Sequence, residues 1–499
     1  MLCTQSLVAK DRSLKRLRAT SNRHGLLLSS AVALAFVSVA FAGIISATTP
    51  LAADDGYQIR PWEENARYWQ YRGRPVLLLG GTKDDSLFQI PDLRQHLDDL
   101  KAVGGNYIRN TMSDRPDHDF EVYAYKQLAS GKYDLGQWND EYWTRFENML
   151  QWTAEREIIV QIEVWDRFDY SDSKGSERWL RHPYNPKNNV NYTSDETGLK
   201  TTYTKHPGQN EQPFFYSVPS LQNNEVLLRY QVAKVDRMLE SSLKYGHVLY
   251  CMDNETSGDP EWAKFWAKHI RSRAAKFGAT VQLTEMWDQW DIKGGHHKET
   301  FDHPELYTFI DVSQNNHNRG QQHWDNLQWV RKYTADEPRP INTVKIYGAD
   351  SGRYGSGRDG QERFWRNILG GAASTRFHRP DSGLGLSETA QKHIRSMRML
   401  TERLDIFHCT PDVDSRRLGD REPNEAYLSC IEGEQYALYF PDGGVVTLDL
   451  SDARGEFDIR WLDILESRWA DQSHTSGGKS VTLRAPGTSH WACLLQRVD

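Results

Sequence analysis

Neither glycine fingerprint of a nucleotide site, GxGxxG or GxxxxGK followed by Ser or Thr, follows the first strand-like run of this sequence. There is no CxxC pair and no Cys/His cluster at zinc spacing, so neither metal nor any other cofactor is expected. Tandem repeats and low-complexity tracts are missing. Charge of one sign is in modest excess only: the net value of -7 over 499 residues gives no reason to expect a nucleic-acid partner. With 26% charged and 38% hydrophobic residues, the composition also excludes a disordered chain, a polytopic membrane protein and a collagen-like fibre.

What is abundant is aromatic: 17 Trp, 23 Tyr and 17 Phe. Such rings suit sugar faces and also fill ordinary cores. The N-terminus is segregated by charge. Residues 1–24 sum to +5, whereas residues 25–53 carry no charge and include the apolar stretch from Leu26 to Ile45. This is the pattern of a secretory signal over residues 1–53, cut near Ala53. The alternative is an uncleaved anchor, which would be the chain's one membrane contact. Either way the folded body, with a charge of -12 beyond residue 24, is expected to be secreted, periplasmic or at the cell surface. Four cysteines follow the signal: Cys251, Cys409, Cys430 and Cys493. They allow three full pairings, and Cys409 with Cys430 would close a short loop at a domain junction.

From Tyr57 onward strand-like and helix-like segments alternate. Eight strands are expected, at Arg74–Gly81, Asn106–Asn110, Ile158–Val164, Val248–Met252, Thr280–Leu283, Tyr307–Val312, Ile341–Val344 and Ala372–Phe377. Helical periodicity separates them, as in Leu93, Leu97 and Leu100, or along Asn224–Tyr245. Asn139 precedes a helix with acids in its first turn. Residues 169–221 form a long polar insertion, expected to be a functional loop or lid. After Thr410 the period changes to that of short antiparallel strands. The fold class is therefore α/β: a (β/α)8 barrel over residues 54–408 followed by a small antiparallel β-sandwich over residues 409–499.

Working residues of such a barrel lie at the C-terminal ends of its strands. Those ends gather Asp84, Asp85, Arg109, Glu163, Asp166, Asn254, Glu255, Glu285, Trp287, Asp288, His317, Lys345, Tyr347, Asp350 and His378. Carboxylates beside aromatics suit glycosidic cleavage, in which one protonates the leaving oxygen and another attacks or activates water. The dipeptide Asn254-Glu255 closes the fourth strand. Here the sequence resembles the retaining glycoside hydrolases of the large (β/α)8 superfamily. That resemblance implies Glu255 as general acid/base and Asn254 as holder of a sugar 2-hydroxyl. Gly105 to Arg109, Asp134-Leu135, Trp138-Asn139, Tyr142 and the C-terminal sandwich are similar to apiosidase-like barrels of bacterial secretomes. Those carry a C-terminal domain named for collagen binding; nothing in these residues indicates collagen.

One position departs from the superfamily pattern. Its nucleophile Glu stands at the end of the seventh strand, five residues after a Pro, where this chain has Lys345 after Pro340. A lysine cannot form the glycosyl ester. Three accounts are open: a second carboxylate from elsewhere, with Glu285 first, Asp350 second, and Glu163 and Asp166 as further candidates; an inverting mechanism; or a sugar-binding protein on a barrel that no longer hydrolyses. The leading expectation is an exported hydrolase of a poly- or oligosaccharide. Arg109, Trp287, His317, Tyr347 and His378 would line its subsites, and Arg109 would also hold an acidic sugar. Lys345 should point into the pocket and lower the pKa of Glu255. With Arg109, it would suit an anionic substrate. A surface adhesion protein working through the sandwich is the third functional class.

Overall fold

The computed structural model describes residues 57–113, 118–349 and 355–498, so the expected export signal and Asp350 lie outside the described residues. Eight parallel strands build the barrel wall: β1 (Leu78–Gly81), β2 (Tyr107–Thr111), β3 (Ile159–Asp166), β4 (Val248–Asn254), β5 (Gln282–Thr284), β6 (Ile310–Asp311), β7 (Ile341–Asn342) and β8 (Ser374–Phe377). Six of them form one sheet in the order β5-β4-β3-β2-β1-β8, and β6 pairs with β7. The Phe309 N–H donates to the Leu283 carbonyl at 3.4 Å, and the Ala373 N–H donates to Ile341 at 2.8 Å, which closes the ring. β6 and β7 are shorter than expected because hydroxyls replace part of the ladder. The Val344 N–H donates to Ser313 Oγ at 3.0 Å, and the Thr343 N–H donates to Ser374 Oγ at 3.1 Å.

All eight residues of β3 and all seven of β4 are buried, as a wall covered on both faces requires. Part of the interior is polar. The Tyr107 hydroxyl donates to Gln161 at 2.6 Å, Asn342 donates to that hydroxyl at 3.2 Å, and the Trp69 indole donates to Asn342 at 2.9 Å. Trp69 belongs to a short antiparallel sheet of Arg60–Pro61, Trp69–Tyr71 and Arg74–Val76. Gly80 lets β1 approach β2, since a Cβ there would overlap the Tyr107 carbonyl.

The main helices are α1 (Leu93–Ala102), α2 (Asp140–Glu155), α3 (Glu225–Ser242), α4 (Pro260–Phe277), α5 (Gly295–Phe301), α6 (Gly320–Tyr333), α7 (Gly357–Leu369) and α8 (Glu388–Thr401). Asn139 caps α2 by accepting the Glu141 N–H at 3.1 Å, as its position predicts. The polar insertion after β3 has a core of its own. Tyr170, Phe214 and Phe215 pack among themselves at ring distances of 4.1–5.2 Å. They meet Trp165 of β3 and Trp262 of α4 at 5.3–5.5 Å. Aromatics spaced widely among Asn, Ser and Lys supply that core, which average composition hides.

The C-terminal strands are β9 (Thr410–Pro411), β10 (Leu418–Gly419), β11 (Tyr427–Ile431), β12 (Gln435–Phe440), β13 (Val445–Asp449), β14 (Glu456–Asp463), β15 (Arg468–Ser476), β16 (Ser480–Arg484) and β17 (Trp491–Val498). They form a six-stranded sheet, β9-β11-β12-β17-β14-β15, and a three-stranded one, β10-β13-β16. Alternation along β12 serves two cores. Leu438 and Phe440 pack inside the sandwich, whereas Ala437 and Tyr439 join the barrel's core. The Tyr439 ring stacks on Trp365 of α7 at 5.3 Å. Trp365 is fully buried, and its indole donates to His393 at 2.9 Å. Trp365→Ala should therefore lower stability by about 3–5 kcal/mol, read by urea unfolding.

The expected disulfide is corrected: Cys251, Cys409, Cys430 and Cys493 are buried free thiols. Thr410 stands opposite Cys430 in the β9–β11 pairing, so its neighbour Cys409 points to the other face. Accordingly Cys409 packs in the barrel-side core and Cys430 inside the sandwich.

Candidate active site at the barrel mouth

A cavity of about 270 Å³ opens at the C-terminal ends of the strands, with Glu255, Asp288, Gln314, His317 and Tyr347 in its wall. Phe168, just after β3, and Lys174, Arg178 and His206 of the insertion also line it. Glu255 directly follows β4 with φ +50°, a left-handed conformation that a non-glycine residue adopts at a cost. The turn it makes is held on both sides. The Thr256 N–H donates to Met286 at 2.9 Å, and the Asp288 N–H donates to Thr256 at 2.7 Å. This bridge places the segment after β5 beside Glu255 and brings Asp288 into the same cavity.

Three donors converge on one oxygen of Glu255. The Tyr347 hydroxyl lies 2.7 Å from Oε1, Gln314 Nε2 3.0 Å, and Lys345 Nζ 3.1 Å. Oε2 accepts no hydrogen bond from the described residues, and the side chain is 14% exposed. Burial pushes the carboxyl up, but the Lys345 ammonium and the Tyr347 hydroxyl, with Arg109 farther off, outweigh it and hold the pKa at about 2. Lys345 is 2% exposed and also donates to Asn254 Oδ1. Asn316 fixes this segment by donating to the Lys345 carbonyl and accepting the Tyr347 N–H at 3.3 Å.

The other expected site residues divide. His317 lines the cavity and stacks on Trp290 at 4.3 Å, with Trp290 half exposed. Trp287 is instead buried, donating to Thr300 at 2.8 Å, so Trp290 supplies the accessible ring. Arg109 does not reach the cavity. It is fully buried between Asp85 and Glu163, at 2.6 Å from Glu163 Oε1, and these two carboxylates meet its charge. Asn254 uses both ends of its amide internally, accepting from Lys345 and donating to Asp166 at 2.8 Å. His378 packs behind Tyr347 at a ring distance of 5.0 Å, and burial keeps it neutral far below its ordinary pKa.

Glu285 is also displaced from the expected role. It is fully buried outside the cavity lining and accepts the Met286 N–H at 3.0 Å. Burial raises its pKa, and the nearby Asp253 raises it further. Asp253 itself is held by Arg167 at 2.9 Å. Asp288 was visible at a strand end in the sequence. Gln314 and the insertion residues were not, because no periodicity marks which loop residues fold back over a barrel mouth.

No family model matches the chain, and no curated protein matches it. Solved structures do. A glycoside hydrolase family 5 protein from Bacteroides vulgatus superposes with a TM-score of 0.62 at 13% identity, covering 89% of this chain and 94% of that one. A structure described as a glycoside hydrolase gives 0.60 at 12% identity, with 89% and 97% covered. A maltogenic α-amylase, AmyB, from Thermotoga neapolitana gives 0.51 at 10% identity, with 85% and 99% covered. At these identities the likeness is one of fold: the chain has the barrel-plus-sheet architecture of glycoside hydrolases.

Proposed function

We propose that this chain is an exported glycoside hydrolase of poly- or oligosaccharides, working at the cavity shared by Glu255 and Asp288. The observation that carries the reading is the triple hold on Glu255 Oε1, which fixes an ionised carboxylate and leaves Oε2 for the substrate. An ionised group of this kind attacks the anomeric carbon or activates water. It does not donate the first proton. Asp288, the other acid lining the cavity among the described residues, then protonates the leaving oxygen. Trp290 and His317 supply a stacked platform for a sugar face. Lys174, Arg178 and His206 in the wall favour a substrate bearing carboxylate or sulfate.

A second reading has one observation in its favour. Lys345 occupies the place of the superfamily's nucleophile and pairs with Glu255, as a site converted to sugar binding would allow. Turnover separates the two. Reducing ends should be released from uronate-rich or sulfated polysaccharides faster than from neutral ones. Binding without release across such a panel would establish the second reading instead.

A further inference from the structure

A larger cavity, about 560 Å³, with none of the mouth residues in its wall, lies where α6 of the barrel meets the strands β10 and β11 of the sandwich. Its wall carries charges of both signs. On the barrel side Arg67 and Arg331 line it together, with the Arg67 Nη2 donating to the Arg331 carbonyl at 3.2 Å. Neither guanidinium has a carboxylate partner among the described residues; burial lowers the pKa of both, and the Arg67 charge lowers that of Arg331 further. The Arg67 Nη1 is buried with no acceptor. Lys293 adds a third cation, standing 5.8 Å over the ring of Trp329, which also lines the cavity. The acids Asp325 of α6 and Asp412 beside β9 already have a cation, Arg421, close enough to interact with both.

We infer that this junction cavity binds an acidic oligosaccharide. An oxyanion suits the Arg67 and Arg331 guanidiniums, which have no carboxylate partner among the described residues. A sugar ring covers Trp329. Hydroxyls, which donate, suit Asp325 and Asp412; an acidic peptide would meet repulsion there. The choice of a sugar rests on the reading of the barrel mouth as a carbohydrate site. The cation pair itself does not depend on that reading. The cavity would hold the polymer at a second point, keeping it near the mouth between cleavage events.

Calorimetry on the full chain carrying Glu255→Gln reads binding without turnover. The probes are oligogalacturonate, oligomannuronate and a sulfated galactan oligosaccharide, with cellohexaose as the neutral comparison. At least one acidic probe should bind, about tenfold or more tighter than cellohexaose, and weaken with added salt. Arg67→Ala, Trp329→Ala and the exposed-rim change Lys293→Glu should each lower that affinity by about tenfold. No acidic probe binding, or affinity unchanged in Trp329→Ala and Lys293→Glu, would overturn the inference. So would loss of the binding in Trp290→Ala, which would assign it to the mouth. A chain without hydrolytic activity still passes or fails this test, so failure of the hydrolase reading remains distinguishable.

Discussion

Glu255→Gln is expected to lower turnover by about 10³-fold, the usual scale for removing a group that takes part in proton transfer or attack. The amide keeps the volume and can still accept from Tyr347 and Gln314. It cannot attack carbon or take a proton from water. The same change takes the ion-pair partner from Lys345, an ammonium 2% exposed that also donates to the Asn254 amide oxygen. Breaking a buried pair by removing one partner costs about 3–5 kcal/mol, so the variant should also unfold at lower urea. Asp288→Asn should lower turnover while leaving the Glu255–Lys345 pair in place. The two variants thus separate the carboxylate paired with Lys345 from the proposed proton donor.

Lys345→Met should shift the acid limb of kcat/KM upward. With the ammonium in place the Glu255 pKa is held at about 2; without it, burial dominates and the pKa should rise above its ordinary 4.5. The folded-state pKa of the natural chain is depressed, so the pair's stabilisation is present above pH 4.5 and lost as pH falls towards 2. That share is about 3 kcal/mol. In Lys345→Met it should vanish, and the remaining shift has the opposite sign: stability is then lost as pH rises. Urea unfolding at neutral and acid pH reads both. Acidic substrates should lose more affinity than neutral ones in this variant, and an acid limb that does not move would contradict the assigned cause.

The barrel was legible because its signals are periodic. Val248–Asn254 is a continuous buried run, and the helix from Asn139 has both its cap and its apolar stripe. The ends of strands were legible too, which put Glu255, Tyr347 and His317 at the cavity. What the strand ends did not specify is depth. Arg109 and Glu163 point to the same interior and neutralise each other there, whereas Asp288, beyond the bridge at Thr256, reaches the surface of the cavity. Alternation assigns a residue to a face, but its height above the barrel depends on the stagger of strands, a tertiary property. The insertion was legible as a functional loop, but not which of its residues reach the mouth, since Lys174, Arg178 and His206 are placed there by a fold whose core includes the Phe214–Trp262 contact. The pairing of cysteines failed on side-chain direction at Cys409.

Proton NMR of hydrolysis in D2O tests the central claim most directly, because it sees both whether a glycosidic bond breaks and which anomer forms first. The account predicts a new anomeric signal growing with the natural chain on an acidic polysaccharide and absent with Glu255→Gln. Retention would identify Glu255 as nucleophile and inversion as the base for water. No new signal from any polysaccharide with the natural chain, or an undiminished one with Glu255→Gln, would contradict it.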